Sequence, residues 1–360
     1  MSNAADRAAQ PAPRASRQAL RRYARRAATI PAVVLSLLAL LAALPVLLPL
    51  AFVVDLARAA GRRSFVSVRI VLFGVCFLAT EVLGLALLLG VWLSSLGRPA
   101  LRAARTWPVQ RWYTTMHYAA LRSLFRLRFE VEDDEAATPG PLLVLVRHAS
   151  IIDSLVPAVF IANVHRTRLR YVLKRELLVD PCLDLAGHWL PNHFVARDGA
   201  DTAREVEAVR ALKSGLGPDE GVLLYPEGTR FTPEKRRRVL ERLTGAARER
   251  AERLRHLLPV RPGGALALLD APPACDVLFV AHHGLEGFAH VSDIMRGALV
   301  GRAVRLHFRR VPAASIPAGA DARRAWLDEE WQRMDDWLSA EEAREAGGRP
   351  AGPFFPGSPK

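Results

Sequence analysis

Pro141 to Asp153, PLLVLVRHASIID, is the stretch on which the fold turns. Leu142 to Val146 has the length and composition of a buried strand, and Ser150 followed three residues on by Asp153 has capping-box spacing for a helix beginning there. His148 then sits at a strand-to-helix turn. A carboxylate in the next turn can bond the far imidazole nitrogen and hold one tautomer, which makes a general-base dyad suited to an alcohol. A plainer reading stays open, in which Asp153 only caps the helix and His148 only closes the strand. His193 and Asp198 repeat the same spacing. Two further polar clusters add weight: Phe194-Val195-Ala196-Arg197 and Tyr225-Pro226-Glu227-Gly228-Thr229-Arg230-Phe231-Thr232 each follow another apolar run. Three such clusters at three strand ends converge on one sheet edge, where open α/β folds bind ligands.

Outward from this centre, strand and helix alternate. Arg126 to Val131 alternates as a half-exposed strand after an amphipathic helix over Trp107 to Phe125. Leu169 to Leu173, His193 to Ala196, Gly221 to Tyr225, Asp276 to Ala281 and Ala303 to Arg310 read as further strands. Asp201 to Ser214 reads as a charged helix, Thr232-Pro233 opens another running towards Arg255, and Trp326 to Leu338 closes the fold. The expected class is α/β, a mixed and largely parallel sheet flanked by helices. Adjacent His282 and His283 point to opposite faces of a strand and read as structural, so no metal site is expected.

The 360 residues carry a formal charge of +14, almost all of it arginine, with lysine only at 174, 213, 235 and 360. An anionic partner follows, and long apolar segments point to membrane lipids rather than nucleic acid. The cysteines, Cys76, Cys182 and Cys275, are unclustered, which gives neither a disulfide framework nor a zinc site. Residues 1–29 read as a basic disordered tail. Residues 30–54 carry no charge and residues 70–96 carry only Glu81; at about 1.5 Å per residue either can cross a core of roughly 30 Å. Pro45 and Pro49 should break or kink the first. Together, residues 30–96 make a two-helix membrane hairpin ahead of a catalytic domain over 97–340 and a disordered tail over 341–360. Basic residues on every flank place the catalytic domain on the cytoplasmic side if the hairpin crosses twice, and equally suit a re-entrant hairpin.

With order, strand context and the string Tyr225 to Thr232 taken together, the sequence resembles the glycerolipid acyltransferase family, whose 1-acylglycerol-3-phosphate acyltransferases carry His-x-x-x-x-Asp, Phe-x-x-Arg and Glu-Gly-Thr-Arg blocks in this order. The resemblance spans about residues 107–340. It implies an enzyme of a bacterial inner membrane, with His148 and Asp153 catalytic and with Arg197, Glu227, Gly228, Thr229 and Arg230 forming the acceptor-phosphate site, Gly228 by permitting close backbone approach and Glu227 by orienting an arginine or a hydroxyl rather than touching the phosphate. The implied reaction moves an acyl chain from acyl-CoA or acyl carrier protein, as co-substrate with no cofactor, to the sn-2 hydroxyl of 1-acylglycerol-3-phosphate. Acylation of another lysolipid, or a CoA-independent transacylase or hydrolase using the same dyad, stays open. Arg147 stands where the family usually has asparagine, and Val260-Arg261-Pro262-Gly263-Gly264 only loosely matches the fourth block. Arg147 and Lys174 are secondary candidates for ligand binding, with a surface role as the alternative, and a Glu227–Arg230 salt bridge is an alternative for that pair.

A thioester's thiol, with a reference pKa near 8.5, is a good leaving group, so one base suffices. His148 serves as that base and Asp153 stabilises the imidazolium. The absence of a Gly-x-Ser-x-Gly elbow favours direct transfer over an acyl-enzyme.

Overall fold

The computed structural model describes residues 13–61, 65–195, 202–286, 288 and 291–347. Two long apolar helices come first, α1 (Pro13–Ala60) and α2 (Ser67–Ser94), packed on one another; Ala19–Ala60 and Ser67–Ser94 are long and apolar enough to cross a membrane. Two expectations change here. The basic stretch over 13–29 is the first turns of α1, because its Ala, Arg, Gln and Leu are good helix formers and because Arg25 and Arg26 are anchored on buried Asp184, with nitrogen–oxygen distances of 3.0 and 3.1 Å. Pro45 and Pro49 do not break α1, which runs through them and Pro31. A neighbouring helix can re-satisfy the freed backbone groups, and proline is tolerated in such helices for that reason.

Helix α3 (Pro99–Phe125) packs along α2, and α5 (Pro181–Trp189) touches both. Glu81 therefore does not face lipid. It is buried, accepts a hydrogen bond from the Tyr113 hydroxyl, and its carbonyl lies 3.3 Å from Cys182 Sγ. Between α3 and α5 come β1 (Arg128–Glu132), β2 (Leu142–Val146), a single turn α4 (Leu155–Pro157) widening into a π-helical turn over Ala158–Asn163, and β3 (Arg168–Lys174). There follow β4 (His193–Val195), α6 (Thr202–Ala211), β5 (Glu220–Leu224), α7 (Pro233–Arg242), α8 (Gly245–Arg253) and α9 (Pro262–Asp270). The chain closes with β6 (Asp276–His283), α10 (Val291–Met295), β7 (Ala303–Val311) and α11 (Ala320–Ala346). The single helix expected from Thr232 to Arg255 is split at Thr244, whose backbone is extended, followed by Gly245 at φ +55°. Helix α11 outruns its expected end, because Glu341 is buried against Arg305 and Arg344 and Glu345 takes His283 and Arg302.

One seven-stranded sheet runs β1-β7-β6-β2-β5-β3-β4. Strands β2 to β6 are mutually parallel, while β7 is antiparallel to β6 and β1 parallel to β7. A strand covered on both faces reads as a continuous apolar run. In β2, Leu142, Val144 and Val146 meet Tyr118, Leu121 and Phe160 on one face, and Leu143 and Leu145 meet Leu268, Leu327 and Trp331 on the other. Parallel pairing brings the C-terminal ends of β2, β5, β3 and β4 to one edge, as the polar clusters require.

Candidate active site

Past β2 the backbone does not enter a helix at Ser150. Residues 150–154 form a turn, and the Asp153 carboxylate folds back on it. Asp153 Oδ2 accepts from the amides of Ala149 (2.6 Å) and Ser150 (2.8 Å) and lies 3.0 Å from His148 Nδ1. Those amides are the first free donors after the strand, and satisfying them aims the carboxylate at the imidazole. His148 Nδ1–H donates to Asp153, which leaves Nε2 as the acceptor, with no hydrogen-bond partner among the described residues. The His148 ring lies against Tyr225, centroids 4.7 Å apart. Burial holds its pKa below the ordinary 6.5, Asp153 pulls it back up, and the positive charges of Lys174 and Arg230 press it further down.

The edge forms as the strand ends converge. Tyr225 to Arg230 follows β5, the Gly228 amide donates to Tyr225 O at 3.0 Å, and the Phe231 amide donates to His148 O at 2.6 Å. Gly228 has φ +68°, and a Cβ there would lie 2.8 Å from Arg261 Cδ. Glycine is needed on both counts. Thr229 Oγ1 and Arg230 O each accept from Lys235 Nζ at 3.0 Å. The Arg230 side chain is half-buried and has no ion-pair partner among the described residues.

Glu227 departs from its expected place. Its side chain is buried and accepts two amides, His148 N at 2.7 Å and Leu258 N at 2.9 Å. It therefore neither touches a bound phosphate nor pairs with Arg230; it holds the His148 turn to the 258–262 loop. Burial pushes its pKa up to about 8 against the pull of those amides and of Arg147.

Arg147 is neither a surface residue nor a ligand group. It is fully buried behind His148, donating to the carbonyls of His282 and His256 and pairing with Glu286. Burial works against ionised Glu286, yet Arg147 and the nearby histidines bring its pKa down to about 2. His282 is fully buried, its Nε2 3.3 Å from Arg147 O and 3.4 Å from Asp153 Oδ1. The Asp153 carboxylate is thus flanked by two imidazoles. Lys174 ends β3 on the same edge, and Arg197 lies outside the described residues. Sequence reasoning missed His282 and Glu286 as part of the site. The signal available was Arg147 itself, since an arginine in the first residue past a fully buried strand needs a carboxylate partner.

Residues 128–262 match the family model described as Acyltransferase. The chain is 27% identical over 227 residues to lysocardiolipin acyltransferase 1 of Danio rerio, across 55% of this chain and 57% of that protein. It thus spans little more than half the length of this curated relative. The crystal structure of the 1-acyl-sn-glycerophosphate (LPA) acyltransferase PlsC from Thermotoga maritima matches over 72% of this chain and 98% of its own, at 16% identity and a TM-score of 0.45. The matched family segment opens on β1 and closes on the first residue of α9, so it contains His148, Asp153 and the Glu227 turn. Over this segment the chain is similar to acyltransferases.

Proposed function

We propose that this protein is a membrane-attached acyltransferase that moves an acyl chain from a thioester, acyl-CoA or acyl carrier protein, to the sn-2 hydroxyl of 1-acylglycerol-3-phosphate. The observation that carries the reading is the 3.0 Å contact of His148 Nδ1 with Asp153, which leaves Nε2 free to take a proton. In the step, Nε2 accepts the hydroxyl proton as the oxygen attacks the thioester carbonyl. The carbon–sulfur bond then breaks, and the leaving thiolate takes the proton from the imidazolium. Asp153 stays ionised and stabilises the imidazolium. Arg230 and Lys174 offer positive charge for the acceptor phosphate, Arg197 is a further candidate, and an arginine fork suits such a group. The apolar helices α1 and α2 give the attachment, with the sheet domain on the cytoplasmic side.

Acylation of a different lysophospholipid is the second reading, supported by the similarity to the zebrafish lysocardiolipin acyltransferase and by Arg147 in place of the usual asparagine. Purified protein in detergent is given an acyl-CoA with lysophosphatidic acid or with other lysolipids, and thiol release and lipid product are followed by mass spectrometry. Phosphatidic acid from wild type, with a drop of about 10²- to 10⁴-fold in His148→Ala, is expected. Full activity in that variant removes the mechanism. Product only from another lysolipid transfers the assignment to the second reading, and free fatty acid without acceptor points to a hydrolase.

A further inference from the structure

Behind the Glu227 turn lies a groove of about 1010 Å³ between α7–α8 and α11, at the upper end of the size of small-molecule sites. Its α7–α8 wall is cationic, with Lys235, Arg238, Arg242, Arg250 and Arg253, while the α11 wall is mixed, with Asp321, Asp328, Glu329 and Asp336 beside Arg324 and Arg333. Val239, Leu243 and Leu254 supply apolar lining. Most arginines of α7 and α8 are committed, as in Arg238–Glu234 and Arg248–Glu252 at i,i+4 and in Arg250, which reaches Asp328 across the groove at 3.4 Å. Arg242, Arg253 and Arg261 differ: each is exposed, lines the groove, and has no ion pair or side-chain hydrogen bond among the described residues. Three uncommitted guanidinium groups beside an apolar lining call for a ligand with several negative charges and a flat apolar body.

The place of the groove narrows the ligand. Its inner end is formed by Glu227 and Thr229, and Glu227 holds the His148 amide. Arg261 lies over Gly228 of the same turn. A ligand seated here lies beside the turn whose Glu227 holds the His148 amide. The groove belongs to the sheet face covered by α9 and α11, whereas the apolar α1–α2 pair packs on α3, which covers the opposite face. A bilayer against α1 and α2 therefore does not fill it.

We propose that this groove binds the phosphorylated nucleotide end of a coenzyme A thioester, with Arg242, Arg253 and Arg261 on its phosphates and the pantetheine arm leading to His148. The assignment rests on the reading of the chain as a thioester-dependent acyltransferase, and its test is direct binding, which does not require turnover. Coenzyme A is titrated calorimetrically into full-length protein in detergent, alongside the double variants Arg242→Glu/Arg253→Glu and Arg242→Lys/Arg253→Lys. The glutamate pair should weaken coenzyme A binding about 10- to 100-fold, as expected for losing charge-assisted contacts. The lysine pair should keep most of the affinity, and both should melt at the wild-type temperature. In turnover, KM for acyl-CoA should rise while KM for the lysolipid stays put. Unchanged coenzyme A affinity in the glutamate pair overturns the site, as does weakened binding of acyl carrier protein in its place. Loss of coenzyme A binding in a protein that acylates no lysolipid would leave the site standing and refute the acceptor.

Discussion

His148 is buried enough to be held neutral and open enough to keep Nε2 free. Its pKa is depressed by burial first and by Lys174 and Arg230 after it, with Asp153 opposing. Only the neutral ring can accept a proton, so kcat/KM falls as pH drops through the His148 pKa. The depression puts that acid limb below the ordinary 6.5. Lys174→Ala removes a neighbouring positive charge and should move the limb upward, which a pH–rate profile reads directly; a shift downward contradicts the placement of Lys174. His282 acts one step behind. With Nε2 at 3.3 Å from Arg147 O and 3.4 Å from Asp153 Oδ1 it lies against the carboxylate on the side away from His148, where we expect it to help position Asp153. His282→Ala should lower kcat about 10-fold at unchanged KM for both substrates, the scale of an orienting partner behind a working side chain. His282→Gln, which keeps a donor, should recover most of the loss, and equal losses in both variants would make the role one of packing alone.

Among the elements, the turn after β5 sets the dyad. Gly228 lets the chain reverse at φ +68° with Arg261 packed over it, so that Glu227 can reach two distant amides, that of Leu258, 31 residues away, and that of His148, 79 residues away. Gly228→Ala meets both a positive φ and a Cβ at 2.8 Å from the Arg261 side chain. A cost of about 1–3 kcal/mol is expected from the backbone alone, with kcat falling because the His148 amide loses its anchor. Thermal melts and turnover of the pure variant check both; wild-type values in each would show that the turn tolerates a side chain. Strand β2 was legible because it is covered on both faces and so is apolar throughout. The helix expected at Ser150 was not, because Asp153 spends its carboxylate on the preceding amides and the imidazole instead of capping forward.

At the scale of the molecule, α1 is tied to the sheet domain through charge as well as apolar packing. Burial opposes an ionised Asp184, yet His188, Arg26 and Arg25 hold its pKa well below the usual carboxylate range. A depressed carboxylate stabilises the fold above its unfolded pKa of about 3.9, and that contribution is lost as pH falls through the folded value. Asp184→Asn leaves two partly buried guanidinium groups short of a partner, at a cost of about 3 kcal/mol. Limited proteolysis should then cut the arginine-rich start of α1 faster, with the sheet domain intact; an unchanged digestion pattern would mean that apolar packing alone docks α1.

Local pattern determined the strands, the two apolar segments, the spacing of His148 to Asp153 and the strand-end position of each polar cluster, since periodicity and short-range spacing are properties of contiguous residues. Tertiary structure alone decided what Glu81, Arg147, Glu227 and His282 do. Their partners, Tyr113, Glu286, the amides of His148 and Leu258, and Asp153, lie 31 to 139 residues away for the first three and across the sheet for the last. Whether a buried charge binds a ligand or supports a neighbour depends on which distant groups the sheet order brings beside it, and no local spacing records that order.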